Sequence, residues 1–165
     1  MRILIADDNP VYLKLLQSFT GRLGFQPECY PDGDQAWAAL MAEDAPRLAV
    51  LDWEMPGRTG IDIVTGLRAS PRAGRTYCIL LTAHTEAEDI AGALTAGAHD
   101  YVRKPMHHEE MRVRLSLWRR LAELEGAVEL CRQPMAAQGL IMPTISALAY
   151  VQGAGGAASQ SMPIR

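Results

Sequence analysis

Five short apolar runs recur along the chain, near residues 2–6, 26–30, 47–51, 77–82 and 99–103. Between them apolar side chains return every three or four positions, near 10–22, 34–43, 60–69 and 86–96, and a longer segment of this kind begins near 107. A continuous apolar run reads as a strand covered on both faces, whereas the helical period marks a segment with one buried face. Their alternation predicts successive βαβ units, hence an α/β domain with a five-stranded parallel sheet.

The punctuation between the runs agrees. Asn9 followed by Pro10 supplies an N-cap and a proline at the first helical position. Thr85 with Glu88 three residues on forms a capping-box pattern ahead of the fourth helix. Gly24, Gly33, Gly60 and Gly97 fall at element ends, where positive φ or close approach of backbone is usual.

The last helix carries a second pattern. Leu117, Leu121, Leu124, Val128 and Cys131 are spaced alternately four and three residues apart, a heptad seam about two heptads long. Two readings follow: a short coiled coil, or a long final helix packing its own stripe on the sheet. Pro134 ends the helix in either case. From Gln133 onward the only charged side chain is Arg165, and Gly153–Ser161 has the composition of a flexible linker. The chain therefore divides into a domain over 1–120, a helical extension over 121–133 and a low-charge tail over 134–165 that is expected to be largely disordered.

With 165 residues and a net charge of −3, the chain is an ordinary globular sequence without the basic footprint of a nucleic-acid binder. Cys29, Cys78 and Cys131 are odd in number and lie in or beside apolar segments, which points to reduced thiols and a cytoplasmic location. The N-terminal apolar run is too short and too acidic for a secretory leader, and no segment is long and apolar enough to span a bilayer.

Candidate chemistry gathers at the strand ends. Asp7 and Asp8 follow the first apolar run, and Asp52 sits at the C-terminal end of the third. In open parallel sheets ligands bind outside the carboxyl ends of the strands, so the three carboxylates converge. Three like charges at close range repel strongly, and a hard divalent cation is the simplest compensation. Thr82 ends the fourth run and Lys104 follows the fifth, adding a hydroxyl donor and a fixed cation on the same edge.

These residues carry a resemblance. The chain resembles the receiver domain of two-component response regulators over residues 1–120, on Asp7-Asp8, on Asp52-Trp53-Glu54-Met55-Pro56-Gly57 with Gly60, on Leu81-Thr82-Ala83, and on Ala96-Gly97-Ala98-His99-Asp100-Tyr101-Val102-Arg103-Lys104-Pro105. The resemblance implies a flavodoxin-like, doubly wound (βα)5 fold with an extended last helix. It implies that Asp52 accepts a phosphoryl group from a phosphohistidine on a sensor kinase or phosphotransfer protein. Asp7, Asp8, Asp52 and the Glu54 backbone carbonyl would then hold Mg²⁺, with Lys104 and Thr82 on the phosphoryl oxygens. Thr82 and Tyr101 become a switch pair, Glu54 and His84 set the phosphoryl lifetime, and Lys104-Pro105 is a candidate cis bond.

On that reading the protein is a signalling switch rather than an enzyme acting on a separate substrate, with output through protein contacts or dimerisation and no direct nucleic acid. Two alternatives stand beside it. One is a constitutive dimerisation module built on the seam. The other is a Mg²⁺-dependent aspartyl-phosphate phosphatase, which the glutamate at position 54 and the lack of a cap insert count against. His107, His108, Glu109 and Glu110 read as a solvated first helical turn, since adjacent helical residues point in different directions. Arg112, Arg114, Arg119 and Arg120 read as the polar face of the last helix.

Overall fold

A computed structural model describes residues 1–71, 74–83 and 87–132, without the side chains of 87, 88, 125, 126 and 128–132. In chain order the elements are β1 (Arg2–Ala6), α1 (Pro10–Arg22), β2 (Gln26–Tyr30), α2 (Gly33–Met41), β3 (Leu48–Asp52), α3 (Gly60–Arg68), β4 (Tyr77–Thr82), α4 (Ala87–Ala96), β5 (Asp100–Arg103) and α5 (His108–Arg132). The strands form one parallel sheet in the order β2-β1-β3-β4-β5. Residues Met1–Ala127 form one compact unit, and a second begins at Val128, helical as far as Arg132 among the described residues.

Strand side chains alternate between two cores. Ile3, Ile5, Val50, Ile79 and Leu81 point to the face covered by Leu16 and Phe19 of α1 and Met111 and Leu115 of α5. Leu4, Ala6, Ala49, Leu51 and Leu80 point to the other face, under Leu40 of α2, Ile63 and Leu67 of α3 and Ala93 of α4. Burial on both faces is what makes β3 and β4 uninterrupted apolar runs. The outer strand β2 is only half-buried and tolerates Pro27, as an edge strand does.

The register differs from expectation at the point that matters for function. β3 runs over Leu48–Asp52 rather than 47–51, so Asp52 is the last residue of the ladder, opposite Leu81. Asn9 caps α1, its Oδ1 accepting from the Val11 and Tyr12 amides, and Pro10 is the first helical residue. Gly24 and Gly97 have positive φ, whereas Gly33 and Gly60 serve close approach. The Thr85–Glu88 box lies outside the described residues. A box that the Glu/Gln pattern passed over caps the N-terminus of α3: Thr59 Oγ1 accepts from the Asp62 amide while the Asp62 carboxylate accepts from the Thr59 amide.

The last helix corrects two readings. Met111, Leu115 and Ala122 are buried and Leu121 is partly buried against the same core, while Leu117 and Leu124 stay 54% and 57% exposed. Leu121 thus belongs to the sheet-facing stripe, and the outward stripe runs through Val113, Leu117 and Leu124. The side chains of Val128 and Cys131 lie outside the described residues. The arginines are not a uniformly solvated face: Arg119 donates to the Leu23 carbonyl and stacks on Phe25, and Arg114 pairs with Asp100 and Glu110. His107 and His108 are exposed, as the sequence implied.

Candidate functional site

Strand order reverses direction at β1, so β1 and β3 flank the crevice where ligands bind in this kind of sheet. Asp7 directly follows β1, Asp52 ends β3, Thr82 ends β4 and Lys104 directly follows β5. Asp7 and Thr82 are fully buried, Asp52 nearly so, and Asp8 is exposed. Carboxylate oxygens of Asp7, Asp8 and Asp52 lie within 4.8 Å of one another. The convergence expected from the sequence is therefore present.

Lys104 closes the group. Its Nζ lies 2.8 Å from Asp7 Oδ2 and 2.9 Å from Asp52 Oδ1, and 4.8 Å from the centre of the Tyr12 ring. The other oxygen of Asp7 accepts from the Asn9 amide at 2.9 Å, so Asp7 is held at both oxygens. Burial pushes the Asp52 carboxyl above its ordinary range with help from Asp7, and the Lys104 bond only partly offsets this. Burial also works against the Lys104 charge, but its bonds to Asp7 and Asp52 outweigh that effect and leave its pKa raised.

Backbone bonds fix the strand ends relative to one another. The Lys104 amide donates to the Thr82 carbonyl at 2.8 Å, and the Trp53 amide to the Leu81 carbonyl at 2.8 Å. Lys104-Pro105 is cis. Gly60 packs so closely under Asp52 that a Cβ there would stand 2.3 Å from the Asp52 carbonyl oxygen. Met55 is buried and Trp53 half-buried in the loop after β3, so both anchor that loop to the domain, and Glu54 is exposed. Tyr101 is half-buried against the core under α4 and lines a cavity of about 320 Å³ with Arg103, Lys104, Pro105, His107, Glu110 and Arg114. His84 lies outside the described residues.

The donor set is all oxygen and strongly anionic, which is the chemistry that Mg²⁺ and Ca²⁺ take and that softer metals do not require. Of the three carboxylates, Asp8 is the most accessible and Asp7 the most engaged. Tyr12 was not found by sequence reasoning. Nothing in a tyrosine on the first turn of a helix signals that its ring will lie beside a lysine 92 positions further on.

An open parallel sheet of this order, with three carboxylates and a lysine gathered at its switch point, defines the class: a doubly wound, flavodoxin-like α/β domain. The family model described as "Response regulator receiver domain" matches residues 3–116, and the chain belongs to that family. The DNA-binding response regulator MtrA of Mycolicibacterium smegmatis is 38% identical over 120 residues, covering 72% of this chain and 51% of that protein. The chemotaxis protein CheY1 of Helicobacter pylori is 27% identical over 118 residues, covering 71% of this chain and 95% of its own. The chain spans about half the length of several of the curated relatives it matches, at 51%, 57% and 56%. Among solved structures, the receiver domain of the Francisella response regulator 1452 superposes with a TM-score of 0.67 at 26% identity, over 73% of this chain and 98% of that one. The receiver domain of the sensor histidine kinase PA1611 of Pseudomonas aeruginosa, solved with a magnesium ion in its active-site cleft, gives a TM-score of 0.63 at 29% identity, over 71% and 95%.

Proposed function

We propose that this domain is a phosphorylation-dependent switch whose phosphoacceptor is Asp52. The observation that carries the reading is the bridge from Lys104 to both Asp7 and Asp52 at the carboxyl edge of the sheet. In the reaction a carboxylate oxygen of Asp52 forms a bond to phosphorus of a phosphohistidine on a sensor kinase or phosphotransfer protein, the P–N bond breaks, and the imidazole leaves with the electron pair. The product is an acyl phosphate on Asp52. Little covalent chemistry is asked of the protein, so placement and charge compensation supply the rate.

Each neighbour has a job. Lys104, already 2.9 Å from an Asp52 oxygen, compensates charge developing on the phosphoryl oxygens, and the Thr82 hydroxyl donates to one of them. Asp7, Asp8, Asp52 and the Glu54 carbonyl would hold Mg²⁺, which supplies further neutralisation of the anionic site when bound. Asp7, tied to Lys104 and the Asn9 amide, would act mainly as support for the site, while exposed and less engaged Asp8 would be available as a direct ligand. Glu54, exposed in the loop after β3, and His84, by its place in the sequence two residues after Thr82, are assigned to tuning the phosphoryl lifetime.

Engagement of Thr82 by the phosphoryl group is transmitted to Tyr101, one strand over, and so to the β5–α5 surface. Such a switch needs only a few kcal/mol of differential interaction between two states. Val11 and Leu15, exposed on α1, the helix that follows Asp7 and Asp8 in the chain, offer apolar surface for the phosphodonor. Output runs through protein contacts and catalysis is confined to the domain's own phosphoryl group. Free Cys29 and Cys78 suit a cytoplasmic setting, Cys78 being a buried thiol with its pKa pushed up to about 12 by burial.

The test is incubation with Mg²⁺ and acetyl phosphate, read by intact mass. One phosphoryl adduct on wild type and none on Asp52→Asn is expected; equal labelling of the variant rejects the assignment.

A second reading, constitutive dimerisation, is favoured by one observation: Val113, Leu117 and Leu124 form an exposed apolar stripe on α5. Light scattering with and without beryllofluoride separates a permanent dimer from a switched one.

A further inference from the structure

We infer that the first turn of α2 is a positioning latch for the loop that follows the phosphoacceptor, with Gly33 as its essential residue. The inference rests on the Mg²⁺ site proposed above, because the loop from Trp53 to Thr59 carries the Glu54 carbonyl assigned to that ion.

Backbone meets backbone at the latch. The Gly33 amide donates to the Pro56 carbonyl at 3.0 Å, and a Cβ on Gly33 would stand 1.8 Å from the Arg58 carbonyl oxygen and 2.7 Å from its carbon. Real Cβ atoms do not approach below 3.0 Å, and backbone cannot swing aside as a side-chain tip can. Gly33 has ordinary backbone angles, so contact rather than φ demands glycine there. Gly57 is different: its φ is +75° and a Cβ would meet the Asp34 carboxylate at 2.3 Å.

Side chains reinforce the contact from the outside. Arg58 Nε lies 3.3 Å from Asp34 Oδ1, and its guanidinium lies 4.8 Å from the centre of the Trp37 ring. The far edge of that ring abuts Gly66 on α3, where a Cβ would come within 2.9 Å. The loop is thus held by α2 on one side and, at its base, by the bonds from Trp53 to Leu81 and from Gly60 to Trp53.

The consequence is chemical because Mg²⁺ demands near-ideal octahedral geometry, so a carbonyl ligand displaced by an ångström is a lost ligand. Gly33 touches no ligand itself; it acts by fixing the backbone that presents one. Residues that orient metal ligands typically change affinity by about 10–100-fold when altered.

The test is the rise in Tm of the full chain with MgCl2 alone, which reports the Mg²⁺ dissociation constant without any phosphoryl chemistry. Each protein is compared with itself, so a change in basal stability cancels. Gly33→Ala is expected to need about tenfold more MgCl2 than wild type for the same shift. Arg58→Ala, which removes the exposed ion pair and the ring contact but leaves the backbone contact, is expected to stay within about twofold.

Wild-type titration of Gly33→Ala overturns the latch and leaves the phosphoacceptor reading standing. Absence of any MgCl2 shift in wild type overturns both. Should Gly33→Ala fail to fold, Gly57→Ala and Gly57→Ala with Asp34→Ala carry the test. The single variant weakens Mg²⁺ binding, and removal of the carboxylate it collides with recovers part of the loss. An unchanged Mg²⁺ response in Gly57→Ala counts against the latch.

Discussion

Lys104 Nζ lies 2.9 Å from Oδ1 of Asp52, so the cation that would compensate an incoming phosphoryl group already compensates the carboxylate meant to receive it. It also lies 2.8 Å from the fully buried Asp7. Lys104→Ala leaves both acids facing each other without a cation. Breaking a sealed ion pair costs about 3–5 kcal/mol, and with the Lys104 side chain 17% exposed a loss on the order of 2 kcal/mol is expected in metal-free buffer. MgCl2 should recover most of that loss by supplying the missing charge, which thermal melts with and without the salt measure directly. A variant equally destabilised in both buffers would mean that the carboxylates are not the source of the cost.

Asp52 carries a pH dependence of definite sign. Burial, and secondarily Asp7, raise its pKa above the ordinary 3.8, so the folded chain holds this proton more tightly than the unfolded chain does. The ionised carboxylate therefore costs stability at neutral pH, and the cost declines as pH falls through the raised folded value and vanishes below the unfolded one. Asp52→Asn should melt a few degrees above wild type at pH 7 without divalent ions, with the gap narrowing as the buffer is acidified. A gap that widens on acidification contradicts the assignment of burial as the dominant cause.

The fold was legible because burial on both faces writes a strand as a solid apolar run, and five such runs with helical spacers admit few topologies. The site was legible for a related reason: Asp7, Asp52, Thr82 and Lys104 each stand at a strand end, where sequence position alone fixes the edge they share. What escaped was set by packing in three dimensions. Leu121 kept heptad spacing yet turned inward, onto the same core that buries Met111, Leu115 and Ala122. The ring of Tyr12 beside Lys104 and the contact of Gly33 with Arg58 join segments far apart in the chain, and neither leaves a periodic trace. The Thr59–Asp62 box was missed for a smaller reason, since aspartate there does the work usually sought in glutamate.

Gly60 links helix packing to the nucleophile. A Cβ at this position would stand 2.3 Å from the Asp52 carbonyl oxygen and 2.8 Å from a methyl of Leu80. Gly60→Ala gains helix propensity worth up to about 1 kcal/mol, but overpacking of this kind costs roughly 1–3 kcal/mol, so net destabilisation is expected. Because the clash is with backbone at residue 52, acetyl phosphate labelling should slow as well, even at temperatures where circular dichroism shows the variant fully folded. Loss of stability with an unchanged labelling rate would show that the strand end yields without moving the carboxylate.

Thr82 and Tyr101 should fail in different ways, because one is placed to touch the phosphoryl group and the other to report it. Thr82 is fully buried at the end of β4, and its carbonyl accepts from the Lys104 amide. Thr82→Ala removes one hydroxyl donor, worth about 1–1.5 kcal/mol, so labelling by acetyl phosphate should slow about tenfold, and Thr82→Ser should recover most of it. Tyr101 is half-buried beside the β5–α5 cavity and lies next to Leu80 in the ladder, two residues before Thr82 on β4. Tyr101→Ala should label at close to the wild-type rate, yet hydrogen exchange of the β5 and early α5 amides should no longer respond to beryllofluoride. In Thr82→Ala that response should also fall, since the signal is lost at its source. Equal slowing of labelling in both variants would place Tyr101 in the phosphoryl site itself, and an intact exchange response in Tyr101→Ala would remove it from the switch.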